Sequence, residues 1–329
     1  MKKNTAFILI VLFALVVVMI APFAGLTKIP LSVLKSTTGD TTEARIFYSL
    51  RLPRVFTAFL AGAALACCGV ALQGMFRNPM AEPFTLGICG GAAFGAAIYV
   101  MFAASLSIYC GEIVFSLAGA LAAIFLVYGL TKIKKGFSVG TMLLAGIAVN
   151  FFFSSLILLL QYVSDFTQSF MIIRWLMGSI SVTGYSVPIW MLIFTSAGVI
   201  IISSQSFKLN LMSISDEIAI ARGVNVKGTR KIIFLATSIM VAAVVAFCGP
   251  IGFVGLMAPH ICRLLVGPDH KILTPASILF GGAFLTLCDT VARTLIAPAE
   301  IPVGVITALL GGPFFIWLLL KDTDSKSSL

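Results

Sequence analysis

The sequence predicts an all-α integral membrane protein, and three observations carry that prediction. Apolar residues fill 60% of the 329 positions, charged residues only 10%, and mean hydropathy is +1.10, a balance outside the range of water-soluble globular domains. Runs of about 20 apolar residues, the length that crosses a hydrocarbon core roughly 30 Å thick, recur from end to end with short polar punctuation. These runs lack the in-and-out alternation of a lipid-facing barrel strand, so helices are the elements that satisfy the backbone in lipid.

Ten spans are expected, at 6–25, 54–75, 84–104, 112–131, 139–163, 188–206, 231–249, 252–266, 273–295 and 303–320, so residues 1–329 read as one membrane domain. The first begins behind Lys2-Lys3 and resembles a signal peptide, but it is long enough to span and lacks a clean small-x-small cleavage site. A retained helix is expected. The span at 252–266 is short and carries Pro259 and His260. Gly62, Ala66 and Gly69, and likewise Gly87, Gly91 and Gly95, recur at helical spacing and allow close helix packing.

Lys and Arg set the orientation. With the N-terminus inside, Lys28, Lys35, Arg45, Arg51, Arg54, Arg174 and Arg293 fall outside, and the remaining 15 of the 22 basic residues face the cytoplasm. Both termini are therefore expected in the cytoplasm of a multi-pass plasma (inner) membrane protein. The net charge of +10 is a topology signal, and with no soluble basic module a nucleic-acid partner is not expected. The seven cysteines (Cys67, Cys68, Cys89, Cys110, Cys248, Cys262, Cys288) fit neither zinc spacing nor a disulfide frame and read as small packing residues.

The one substantial cytoplasmic loop runs from about Phe207 to Lys231. Ser213 precedes Asp216 by three residues, a capping-box-like spacing, and Gly223 marks a stop, so a short helix over Asp216, Glu217, Ala219 and neighbours is expected, followed by a second from Val224 to Lys231. Ile218 and Ile220 give the first helix an apolar face that needs a partner groove. Asp289, an acid placed well inside a span, lies one turn from Arg293 and could pair with it. A packing ion pair and a substrate contact both remain open for it, and His260 reads as a capping or packing residue. Neither brings the companions a metal site requires.

Four blocks carry a family resemblance. Arg51-Leu52-Pro53-Arg54 through Gly62-Ala63-Ala64 and Gln73 to Arg77-Asn78-Pro79-Met80-Ala81 and Leu86-Gly87 is the first; Glu217, Ala219 and Gly223 form the second. The third runs from Gly249 through Gly252, Gly255, Pro259-His260 and Arg263 to Asp269-His270-Lys271, and the fourth from Asp289 and Arg293 through Glu300 and Pro302 to Pro313. Together they resemble the FecCD family, the membrane subunits of ABC importers for iron-siderophores, haem and cobalamin.

The resemblance implies a type II importer permease that pairs with a second copy or a paralogue, two ATP-binding subunits and an extracytoplasmic substrate-binding protein. It implies that Asp216, Glu217, Ala219 and Gly223 belong to the loop that engages the ATPase. Arg51, Arg54 and Arg293, read as exposed outer cations, then meet acidic residues of the binding protein. Asn78, Pro79, Gly252, Gly255, Pro259, His260, Asp289, Glu300 and Pro302 are pathway or structural motif residues. No GxxxxGK[ST] phosphate loop is present, so no cofactor is expected on this chain and ATP with Mg²⁺ would sit on the partner. An iron chelate is the expected cargo, with cobalamin as the alternative. Two rival classes fare worse: an ion-coupled secondary transporter wants acids at the bilayer midplane, and an intramembrane enzyme wants a catalytic constellation.

Overall fold

The computed structural model describes residues 3–35, 37, 41–106, 111–133 and 138–326. Lys2, Lys134, Lys135 and Cys110, which entered the charge and cysteine readings, lie outside the described residues. Among the described residues the chain is helical without strands: α1 (Lys3–Ile20), α2 (Thr42–Ile46), α3 (Leu52–Phe76), α4 (Ile88–Leu106), α5 (Glu112–Ile133), α6 (Val139–Val163), α7 (Phe166–Leu176), α8 (Ser186–Ser204), α9 (Ser206–Ile214), α10 (Asp216–Ala221), α11 (Val226–Cys248), α12 (Val254–Val266), α13 (His270–Thr294) and α14 (Val303–Lys326).

Seven of these runs are long and apolar enough to cross a bilayer, those of α1, α2–α3, α5, α6, α8, α11 and α13. The other three of the ten expected spans coincide, among the described residues, with shorter apolar stretches at 88–102, 254–266 and 303–318, so length and composition by themselves mark seven crossings. For α12 the reason is local. Gly249 (φ +67°) ends α11 and Phe253 (φ +68°) precedes α12, which leaves 13 helical residues, about 20 Å at 1.5 Å per residue. The helix is thus broken at Gly249-Pro250.

Packing is organised around α3. Some 83% of the apolar window of the α2–α3 run is buried within the chain, against 28% for α5, α6 and α8, because α3 is built from Ala, Gly and Cys and lets its neighbours approach backbone to backbone. Gly62 abuts the carbonyl of Gly281 on α13, and Gly69 abuts the carbonyl of Gly255 on α12, so closely that a Cβ at either position would overlap it. Gly91 and Gly119 make the same reciprocal contact between α4 and α5, and Gly95 meets the carbonyl of Phe115. The small-residue stripes are therefore helix-to-helix seams. The outward faces of α1, α6 and α8 stay apolar, with Leu15, Phe151, Leu158 and Ile200 exposed, as a lipid-facing or partner-facing surface requires.

The sequence reading overlooked three short helices, α2, α7 and α9. Helix α7 follows α6 after a capping box in which Asp165 accepts from the Gln168 N–H at 2.8 Å and Gln168 accepts from the Asp165 N–H at 3.3 Å; the Asp-x-x-Gln spacing was its legible signal. Helix α9 occupies the start of the loop expected from about Phe207.

Candidate coupling and docking sites

The ion pairs among the described residues form two clusters, one at each end of α3. Arg54 opens the helix and Arg77 closes it, 23 residues apart, or about 35 Å along a straight axis.

At the Arg54 end, Asp289 is 1% exposed and is held by Arg54 in a fork. Nε lies 3.1 and 3.0 Å from the two carboxylate oxygens and Nη2 lies 2.9 Å from Oδ1. The remaining Arg54 nitrogen, Nη1, donates to Glu300 Oε2 at 2.8 Å. Arg293, one turn beyond Asp289 on α13, stands at 3.7 Å from Oδ2 and gives its Nη2 to the carbonyl of Ala21. The i,i+4 pairing read from sequence exists, but Arg54 is the closer partner. Arg51 donates to the carbonyls of Pro22, Phe23 and Thr27, which anchors the chain leaving α1.

This corrects the reading of three exposed cations. Arg51 and Arg293 are each 7% exposed, because guanidinium groups in a low-dielectric setting persist only when their donors find carbonyls or carboxylates. The three arginines nevertheless line one cleft of about 350 Å³, with Thr27, Thr183 and Glu300. Three positive groups face two carboxylates there, Asp289 and Glu300, which leaves one positive charge over. Glu300, with its side chain 54% exposed, is the rim residue. Pro302 follows it and starts α14, its carbonyl accepting from Val305 N–H at 3.0 Å.

At the Arg77 end lies the short helix α10. Its N-cap is Ser215, whose hydroxyl accepts from Ile218 N–H at 3.0 Å; Ser213 is interior to α9 and donates to Leu209 instead. The cap is thus two residues later than the spacing suggested, since α9 extends through the predicted cap position. Gly223 (φ +79°) stops α10, and Val224 N–H closes on the Ala219 carbonyl at 2.9 Å, the left-handed ending that favours glycine. The second short helix does not exist separately. Val226 to Lys231 is the first part of α11, capped by Asn225 through the Gly228 N–H at 2.9 Å.

Helix α10 buries Ala219 and presents Ile218 (41%) and Ile220 (62%) outward. Asp216 is clamped on two sides, by Arg230 Nη2 of α11 at 2.9 and 2.8 Å and by Arg77 Nη2 at 3.4 Å. Glu217 is exposed, and its carboxyl is held below the usual range by its own backbone N–H and then by the Ser215 hydroxyl. Arg77 itself adopts a left-handed conformation (φ 52°). Asn78 Oδ1 then accepts from Met80 N–H at 2.9 Å, so Asn78-Pro79 forms the turn that leaves α3.

The remaining motif residues surround the helix break. Gly255 meets Leu65 and Pro83, Pro259 is buried inside α12, and His260 packs edge-on to Phe314 at 5.8 Å. Gly252, Phe84, Met177, Pro250, Gly304 and Leu309 line an apolar groove of about 500 Å³ beside the break. Glu82 was missed by the sequence reading. It lies in the turn before α4, Oε2 is buried without a hydrogen-bond partner, and burial pushes its carboxyl up while the Phe253 N–H pulls it partly back. A carboxyl raised above its ordinary 4.5 binds its proton more tightly folded than unfolded, so it costs stability as pH rises through the interval between the two values. Glu82→Gln is expected to raise the thermal midpoint at neutral pH and leave it unchanged well below pH 4.5; a lower midpoint at neutral pH would contradict this.

Among the described residues no group of three or more His, Cys, Asp or Glu could hold a metal ion. A model of the FecCD transport family matches residues 8–321. The chain belongs to the FecCD transport family. It is 37% identical over 307 residues to the hemin transport system permease protein HmuU of Yersinia pestis, covering 92% of this chain and 91% of that protein. It is also 37% identical over 284 residues to the molybdate import system permease protein MolB of Haemophilus influenzae, covering 86% and 83%. A solved inward-facing conformation of a metal-chelate type ABC transporter superposes with a TM-score of 0.83 at 34% identity, covering 97% of this chain and all of that one. The family is one of transport permeases, and ATP hydrolysis in ABC importers lies in separate subunits.

Proposed function

We propose that this protein is the membrane permease of an ATP-driven importer for an iron chelate, built from two permease copies or a copy and a paralogue, two ATP-binding subunits and an external binding protein. Family membership supports the permease role, and the observation that carries the coupling is α10. Its exposed Ile218 and Ile220, set on a rigidly capped helix at the Lys- and Arg-rich end of the bundle, form an apolar knob that a partner groove would cover. Alternating access then follows when nucleotide-driven closure of the ATPases moves α10.

Cargo identity rests with the binding protein in this reading. A hemin permease and a molybdate permease are both 37% identical to this chain, so a tetrapyrrole and an oxyanion are served by equally similar pathways. The apolar groove at Gly252 and Gly304 fits a wall that guides cargo without gripping it. Cobalamin is the alternative cargo. Vanadate-sensitive uptake of haemin, an iron(III) hydroxamate and cobalamin, measured after co-expression with an ATP-binding subunit and a binding protein, tests the reading; ATP-independent uptake would defeat it.

The Arg77 end is cytoplasmic in this reading. Six of the seven cysteines are buried, so in a Cys110→Ser background an introduced thiol reports cleanly. In spheroplasts of a host expressing the protein, an impermeant maleimide is expected to label Thr183→Cys directly and Lys132→Cys only after permeabilisation. The reverse order would invert the topology.

At the opposite end the cleft offers its excess positive charge to an acidic docking surface. Glu300 already occupies one Arg54 nitrogen, so Glu300→Gln is expected to tighten docking of the binding protein, with the gain shrinking as salt rises because exposed pairs are screened over about 10 Å at 0.1 M. Weaker docking, or a salt-independent change, would remove the cleft from the docking surface.

A further inference from the structure

The loop that leads into α10 is bound to the bundle at a second place, through a half-buried polar junction that the coupling reading does not use. Helix α9 lies against α3 and α13, with Leu209 and Met212 fully buried. Asn210, on the same helix, turns its amide to the first turn of α13. Its Oδ1 accepts from the His270 backbone N–H at 2.9 Å and lies 2.7 Å from the ring Nδ1, so the ring donates from Nδ1 when that nitrogen carries the hydrogen. Its Nδ2 donates to Asp269 Oδ1 at 2.7 Å. Asp269 is meanwhile the N-cap of α13, with Oδ1 accepting from Lys271 N–H at 3.0 Å, and the amide and main-chain donors hold its carboxyl below the usual range. His270 is 3% exposed and its Nε2 edge faces Gly74, where a Cβ would stand only 2.5 Å away. The junction therefore joins α9, α13 and α3 in one place with no slack.

Asp216 ties α10 to α3 and α11 through partly exposed ion pairs, which are weak and adjustable. The Asn210 junction is half-buried around the buried His270, and its amide engages Asp269 and His270 at three points between 2.7 and 2.9 Å, so it holds α9 to α13 at fixed spacing. Helix α13 in turn carries Asp289, 19 residues beyond His270, where Arg54 grips it.

We infer that Asn210 is a positioning residue that transmits displacement of the loop helices to α13, and through the Asp289–Arg54 pair to the cleft at the far end. The inference rests on the importer reading and names the link inside this chain through which that importer would work.

The test uses the complex reconstituted in proteoliposomes with its ATP-binding subunit and binding protein, reading both ATP hydrolysis and ATP-driven uptake of haemin and of an iron(III) hydroxamate. Asn210→Asp sets a carboxylate against Asp269 and removes the amide donor. Uptake per ATP hydrolysed is expected to fall at least about fivefold, the lower end of typical coupling between sites, while hydrolysis continues. The exchanged pair N210D/D269N restores a donor at 269 facing an acceptor at 210, and asparagine caps a helix as well as aspartate does, so most of the coupling is expected to return. Undiminished uptake per ATP in N210D would overturn the inference, as would a loss that the exchange does not repair in an assembled complex. Should N210D fail to assemble, N210S, which removes the amide without adding charge, is read against the same two outcomes. A wild-type complex that hydrolyses ATP without uptake of either probe, or that never captures the ATP-binding subunit, would defeat the importer reading itself and this inference with it.

Discussion

Arg54→Ala is expected to destabilise the protein by about 3–5 kcal/mol, the range for removing one partner of a buried ion pair. The cause is what stays behind: Asp289, 1% exposed, loses all three close contacts from two Arg54 nitrogens and, among the described residues, keeps Arg293 at 3.7 Å. The paired change R54M/D289L leaves neither charge stranded, and Arg293 retains the Ala21 carbonyl, so most of the loss should be recovered. Denaturant titration of the purified protein in detergent measures both. Equal loss in the single and paired variants would show that packing, and not charge burial, sets the energetics of this end.

Gly69→Val should be still less tolerated. The Cβ would enter the space of the Gly255 carbonyl, and a backbone carbonyl in α12 cannot rotate aside as a side chain can. Overpacking typically costs 1–3 kcal/mol, and this site is expected at or above about 3 kcal/mol because relief requires α3 and α12 to separate. Gly129→Val is the control. Gly129 lies in α5 with nothing within 4 Å of its would-be Cβ, so it tests a valine in a helix without the collision. Comparable yields of monodisperse protein from the two variants would refute the seam between α3 and α12. Gly223→Pro probes the coupling loop separately: proline fixes φ near −65° where φ is +79°, and the variant should lose the ATP-binding subunit while the spans stay folded, as copurification and thermal melting would show.

The helical class and most spans were legible because lipid imposes one rule on every residue of a crossing, and apolar runs of the required length obey it visibly. Helix α6, expected at 139–163, forms at Val139–Val163. The loop around 207–231 was legible as a capped, glycine-stopped element, yet its cap was placed at Ser213 rather than Ser215. Cap spacing reads only local hydrogen bonds, and whether α9 continues through Ser213 depends on Leu209 and Met212 packing against α3.

The three arginines Arg51, Arg54 and Arg293 show the sharper limit. Sequence placed Arg51, Arg54 and Arg293 at one end of the bundle, since basic residues on the face poor in positive charge stand out. That Arg51 and Arg293 are buried and Arg54 half-buried, held by the Pro22, Phe23 and Ala21 carbonyls and by Asp289, came from contacts across as many as 272 positions of sequence, which no periodicity records. By itself, then, the sequence determined the membrane class and the family, because these follow from composition and short motifs. Which carboxylate each guanidinium grips, which glycines are seams, and that Asn210 joins α9 to α13 were decided only by tertiary structure, because hydrogen bonds and backbone contacts act over about 3 Å between residues far apart along the chain.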